Sequence, residues 1–86
     1  MKKKKEKISC IICLYNEHEN LDLIKLNFQI LKGNEIIVLD GGSDDGTKEA
    51  LKNLKFIKFI TMPGTGRLHR IIHGMRIAKN RICLVY

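Results

Sequence analysis

The residues best able to do chemistry lie in two short polar stretches. The first is "DGGSDDGT", residues 40–47, which follows the apolar run "IIVL". An ionised Asp40 at the end of a strand is a pure acceptor, suited to the N–H of a base or the hydroxyls of a ribose. Gly41 and Gly42 let the backbone turn sharply and come close to a ligand. Ser43 or Asp44 can cap the helix that follows, and acids suit its positive end, so Asp44 and Asp45 are expected to be structural. The second stretch is "GTGRLHR", residues 64–70. It sets two glycines and Arg67 at a helix start, where free N–H groups, the helix dipole and a guanidinium converge on a phosphate. The competing reading is an ordinary loop with surface arginines.

Other motifs fail on spacing. Taking Gly46 as the glycine of a calcium loop puts Gly41 where the first acid is required, with Asp40 one residue too early. G-x-G-x-x-G fails at residues 41–46, and again after Gly64 and Gly66, where His69 holds the third position. No G-K-S/T is present, which excludes a P-loop. His69 and His73 share a helix face, but Arg70 follows the first histidine where a metalloprotease has glutamate, and no third ligand is evident. Cys10 and Cys13 spell C-x-x-C inside a strand-like run, where residues three apart point to opposite faces. They read as packing cysteines rather than a redox or zinc pair.

These residues need a scaffold. Ile8–Leu14 is a short β-branched run, as expected of a strand buried on both faces. Leu21, Ile24, Phe28 and Leu31 keep helical spacing, and Gly33 is the stop. Glu35–Leu39 reads as a second buried strand. Thr47, Ala50, Leu51 and Leu54 mark a short helix. Phe56–Thr61 reads as a third strand, and Leu68, Ile71, Ile72, Met75 and Ala78 as the apolar stripe of a third helix. Arg81–Tyr86 begins a fourth strand. The order β-α-β-α-β-α-β predicts an α/β fold, an open doubly wound, mostly parallel sheet with helices on both faces. Ligands then bind beyond the carboxyl ends of the strands, where "YNEHEN", "DGGSDDG" and "MPGTGR" lie.

Length, composition and charge fit this reading. The chain has 86 residues, 44% hydrophobic and 29% charged, with a net charge of +7. One domain is expected, over residues 8–86, after a basic disordered tail over residues 1–7. No run of about 18 apolar residues can span a membrane, and no export signal follows the basic start. The expected location is the cytoplasm, with a membrane-peripheral position as the alternative. The lysines at 2–5 and 7 lack interleaved aromatics, so no nucleic-acid partner is expected.

In order, "ISCIICLYNEHENL", "EIIVLDGGSDDGT" and "PGTGRLHRIIHGMRIAKN" resemble the opening segments of the family 2 glycosyltransferases of GT-A fold. Those begin with a strand ending in Y-N-E, continue to V-D-D/G-G-S-x-D-G-T, and reach a G-x-G-R…N-x-G segment before a helix and strand. The likeness covers nearly all of residues 8–86. It implies the Rossmann-like half of a GT-A domain and a nucleotide-sugar donor of UDP or GDP type. By the same analogy Tyr15 and Glu17 flank the nucleoside, Asp40 with Gly41 holds the base or ribose, and Arg67 lies near the diphosphate. This chain departs from the pattern at Cys13 and Leu14, where a proline and a small residue are usual, at Gly41 in place of a second acid, and at Ile72 in place of asparagine.

The family's D-x-D, which holds Mg²⁺ or Mn²⁺, follows the strand that matches "RICLVY", and the catalytic base comes later. The resemblance therefore implies that residues 1–86 contain no catalytic residue and no metal ligand. The chain is expected to be the donor-binding part of an enzyme that transfers sugar to an acceptor hydroxyl with inversion, truncated before the D-x-D and inactive alone. Two rival readings are a complete, non-catalytic nucleotide-binding module and a basic nucleic-acid-binding protein.

Overall fold

The computed structural model describes residues 7–81 and 83–85. The lysine run at residues 2–5 and the strand ends expected at Ile82 and Tyr86 lie outside the described residues. The element order is β1 (Ser9–Leu14), a single 3-10 turn (His18–Asn20), α1 (Leu21–Leu31), β2 (Glu35–Asp40), α2 (Thr47–Leu51), β3 (Lys58–Thr61), α3 (Arg67–Ile77) and β4 (Cys83–Val85). The alternation is the expected one. Phe56 and Ile57 fall in the turn before β3 rather than in the strand, although both still pack against the core.

All the strand pairs are parallel, in the order β3-β2-β1-β4. β1 and β2 pair along their whole length, from Ser9 opposite Glu35 to Leu14 opposite Asp40. Among the described residues β4 pairs with Ser9–Ile11. The chain steps outward from β1 to β2 to β3, then returns to the far side of β1. Sheet order reverses there, and in open α/β sheets that is where ligands bind.

Alternation along the strands makes two cores. Ile12, Leu14, Ile36 and Val38 pack with Ile24 and Phe28 of α1 and Leu51 of α2. Phe28 is almost fully buried and meets Phe56 edge to face, with centroids 6.4 Å apart. On the other face Ile11, Ile37 and Leu39 pack with Cys13, Ile60, Met62, Ile77 and Ala78. Cys10 and Cys13 are free thiols, and burial raises the pKa of Cys10.

One expectation holds only in part. Of the apolar stripe read for α3, Ala78 lies against the core and Ile71 is half-buried, but Leu68, Ile72 and Met75 are exposed, while Arg70 and Gly74 are buried and Ile77 packs on the core. The reason is close approach at Gly74. A Cβ there would stand 2.8 Å from Ile11 Cγ2 and 2.9 Å from Leu39 Cδ1. The helix lies flat on β1 and β2 through its glycine, which turns the large apolar side chains outward.

Candidate functional site

The loops after β1 and β2 are laced together. Asp40 ends β2 fully buried. Its Oδ2 accepts the N–H groups of Gly42 (3.0 Å) and Ser43 (2.8 Å), and its Oδ1 accepts the Ser43 hydroxyl at 2.5 Å. Ser43 Oγ in turn accepts the N–H of Asn16 (2.8 Å), and Asn16 Oδ1 accepts the N–H of Asp44 (2.9 Å). Asn16 has φ +50°, a left-handed pose that asparagine adopts more readily than most residues. Further along, Thr47 Oγ1 accepts the N–H of Glu17 (2.9 Å), and Asp45 Oδ2 accepts that of His18 (3.1 Å). The N–H groups of Asn16, Glu17 and His18 thus meet acceptors on Ser43, Thr47 and Asp45, and Asn16 Oδ1 returns one bond to the Asp44 N–H.

The helix start differs from the expectation for Ser43 or Asp44. The capping position is Gly46, which has no side chain to cap with, and Asp45 braces the start instead: its Oδ1 accepts both the hydroxyl (2.6 Å) and the N–H (3.1 Å) of Thr47. The Thr47 hydroxyl leads in holding the Asp45 carboxyl below its ordinary pKa, helped by the N–H groups of His18 and Thr47 against a smaller burial effect. Ser43 is taken up by Asp40 and Asn16, and the Asp44 backbone by Asn16.

The site residues read from sequence fall into two groups. Glu17 and Arg67 both line an open cleft of about 370 Å³ at the carboxyl end of β1, with Cys13, Leu14 and Asn20. Glu17 Oε2 accepts the Asn20 side-chain amide at 2.9 Å. Arg67 is exposed at the first position of α3, whose N-terminus has no side-chain cap, leaving first-turn N–H groups free. Tyr15 is exposed beside this cleft in sequence but is not part of its lining. Asp40 and Gly41 are buried behind it, with the Asp40 carboxylate turned into its own loop. The chemistry on offer is an open crevice with one acid, one guanidinium and free helix N–H groups, backed by a rigid turn.

Sequence reasoning missed Asn16, Thr47 and Arg70. Asn16 and Thr47 act through backbone groups roughly thirty residues away, which no local pattern reveals. Arg70 carried a usable signal, a charge on what proves to be the sheet-facing side of α3. Among the described residues, no group of three or more His, Cys, Asp or Glu side chains could hold a metal ion.

The family model for glycosyl transferase family 2 matches residues 9–86. The chain belongs to that family. A cholesterol galactosyltransferase from Borreliella burgdorferi is 42% identical over 69 residues. That alignment covers 72% of this chain and 19% of the relative, so the family 2 chain spans about a fifth of that protein's length. No solved structure matches it. The signatures shared with the family, Y-N-E and D-G-G-S-D-D-G-T, are the two segments that the structure laces together. No helix among the described residues is long and apolar enough to cross a membrane.

Proposed function

We propose that this chain forms the donor-nucleotide wall of a glycosyltransferase. The observation that carries the reading is the convergence of Glu17 and Arg67 on one open cleft, at the reversal of strand order, in a member of glycosyl transferase family 2. A nucleotide sugar of UDP or GDP type lies with its nucleoside against Tyr15, Glu17 and the Gly41 turn. Its diphosphate is held by Arg67 and the free N–H groups of α3. Asp40 builds the turn from behind, and its carboxylate reaches a base or ribose only where the Ser43 hydroxyl yields its place.

The transfer itself is displacement at the anomeric carbon by an acceptor hydroxyl, with inversion. A divalent metal, Mg²⁺ or Mn²⁺, neutralises charge on a leaving diphosphate when bound. The residues in hand do not fit one: Asp45 is committed to Thr47 and His18, and Asp40 to its own turn. We therefore assign metal binding and the catalytic base to residues other than 7–81, and to these residues donor binding alone. The relative named a cholesterol galactosyltransferase makes UDP-galactose the first donor to try and a sterol hydroxyl the first acceptor. For this reading we expect the protein in the cytoplasm or at a membrane surface, and we expect no nucleic-acid partner.

Calorimetric titration of the full chain with UDP, GDP and UDP-galactose tests this. Arg67→Ala is expected to weaken binding by about tenfold, the scale of one lost charged hydrogen bond. Equal affinity in wild type and Arg67→Ala would remove the cleft from the donor site.

A further inference from the structure

Asp40 and Arg70 are the buried charged side chains of the described residues, and only Asp40 has a full set of partners. Arg70 is 7% exposed. Its Nη1 donates to the backbone carbonyl of Thr65, with the Thr65 hydroxyl at 3.4 Å. Its Nε is buried with no hydrogen-bond partner. It has no acid either, since the one ion pair among the described residues joins Lys58 and Glu35. A buried guanidinium without a counter-charge is unfavourable, and an apolar residue would fill the place more cheaply.

The guanidinium lies on the backbone of Gly41. A Cβ at position 41 would stand 2.6 Å from Arg70 Nη1 and 3.0 Å from Cζ. The Thr65 hydroxyl donates to the carbonyl of Met62 (2.6 Å), and the Met62 N–H donates to the carbonyl of Asp40 (2.7 Å). A closed circuit results: the Asp40–Gly41 turn, Met62, Thr65, Arg70, and back to Gly41. Arg67 and the free N–H groups of α3 leave from this circuit.

We propose that Arg70 is a positioning residue of the nucleotide site. It sets the separation between the Asp40 turn and the N-terminus of α3, and it does so as a matched pair with Gly41, whose missing side chain makes room for it. The proposal rests on the donor-site reading for what the positioning serves. The pairing itself stands on the geometry.

The test uses Arg70→Met, Arg70→Lys, Gly41→Ala and the double variant Gly41→Ala/Arg70→Met in the full chain. Two readouts are taken, amide hydrogen exchange and titration with UDP and GDP. Arg70→Met keeps the apolar stem. It is expected to speed exchange at the Gly41 and Met62 amides, leave Ile36–Leu39 protected, and weaken nucleotide binding about tenfold. Arg70→Lys keeps the charge without the planar fork and stays weaker than wild type. Gly41→Ala is expected to disturb the wild type more than the Arg70→Met background, where no guanidinium collides with it. Wild-type affinity and exchange in Arg70→Met would overturn the proposal, as would a uniform rise in exchange that includes Ile36–Leu39. If wild type binds neither nucleotide, the donor-site reading fails, while the Gly41–Arg70 coupling in exchange still judges the pairing. Should Arg70→Met fail to fold, Arg70→Lys decides by the same two readouts.

Discussion

β2 carries an acid at each end, and the two are used in opposite ways. Glu35 opens the strand and joins elements of the scaffold. Its Oε2 pairs with Lys58 of β3 at 2.7 Å, and its Oε1 accepts the Ser9 hydroxyl of β1 and the N–H of Lys79 just past α3, both at 2.7 Å. Asn34 and Asn80 add bonds to the backbone of Ile8 at the same end. Asp40 closes the strand and forms no ion pair among the described residues; its carboxylate accepts from its own turn and, through Ser43, holds the loop that follows β1. Charge pairing at the amino end fastens strands. Neutral donors at the carboxyl end shape loops, and the loop after β1 lines the cleft through Glu17 and Asn20. We assign to the site the acid whose carboxylate partners lie in a loop.

Removing each acid should separate the two roles. Asp40→Ala leaves the Gly42 and Ser43 N–H groups and the Ser43 hydroxyl without an acceptor in a buried place. It should cost roughly 3–5 kcal/mol of stability and also abolish measurable nucleotide binding, because the turn loses its frame. Denaturant unfolding and titration with UDP on the same preparation check both.

Glu35 should respond to pH instead. Burial alone would raise its pKa, but the Lys58 hydrogen bond, the Lys79 N–H, the Ser9 hydroxyl and the Lys58 charge outweigh burial and hold it at about 2. A carboxyl lowered in the folded state adds stability that is complete above the unfolded value of 4.5 and lost as pH falls toward about 2. Thermal unfolding should therefore lose on the order of 2–3 kcal/mol across that window, and Glu35→Gln should flatten the loss. Nucleotide affinity of Glu35→Gln at neutral pH should match wild type; a drop would erase the contrast between the two ends.

Gly74→Ala should cost roughly 1–3 kcal/mol by pushing α3 off Ile11 and Leu39, as read by the unfolding midpoint in urea. Smallest is Thr47→Val, which removes the acceptor for the Glu17 N–H and should cost about 1 kcal/mol while loosening the β1 loop, seen as faster exchange of the Glu17 amide.

Much of the scaffold was legible in the sequence. "CIICL" and "IIVL" are apolar throughout, as a parallel strand buried on both faces requires, and Ile24 and Phe28 hold the inward side of α1. The facing of α3 was not legible, because two stripes compete on it. Leu68, Ile72 and Met75 win on hydrophobicity, but Gly74 wins on distance, and close approach is a tertiary fact. Arg67 was read from its place at a helix start and Glu17 from family likeness, and the topology brings them to one cleft. The lacing of Asn16, Ser43 and Thr47 was hidden for a different reason. Its bonds join side chains to backbone across two loops, so neither stretch announces the other.

The most direct measurement is an amide-resolved NMR titration of the full chain with UDP-galactose. Donor binding at the cleft should cluster the shifts at residues 15–17, 41–43 and 66–68, with Ser9, Glu35 and Lys79 unmoved. Shifts centred on the Glu35 end, or none at saturating ligand, would contradict it.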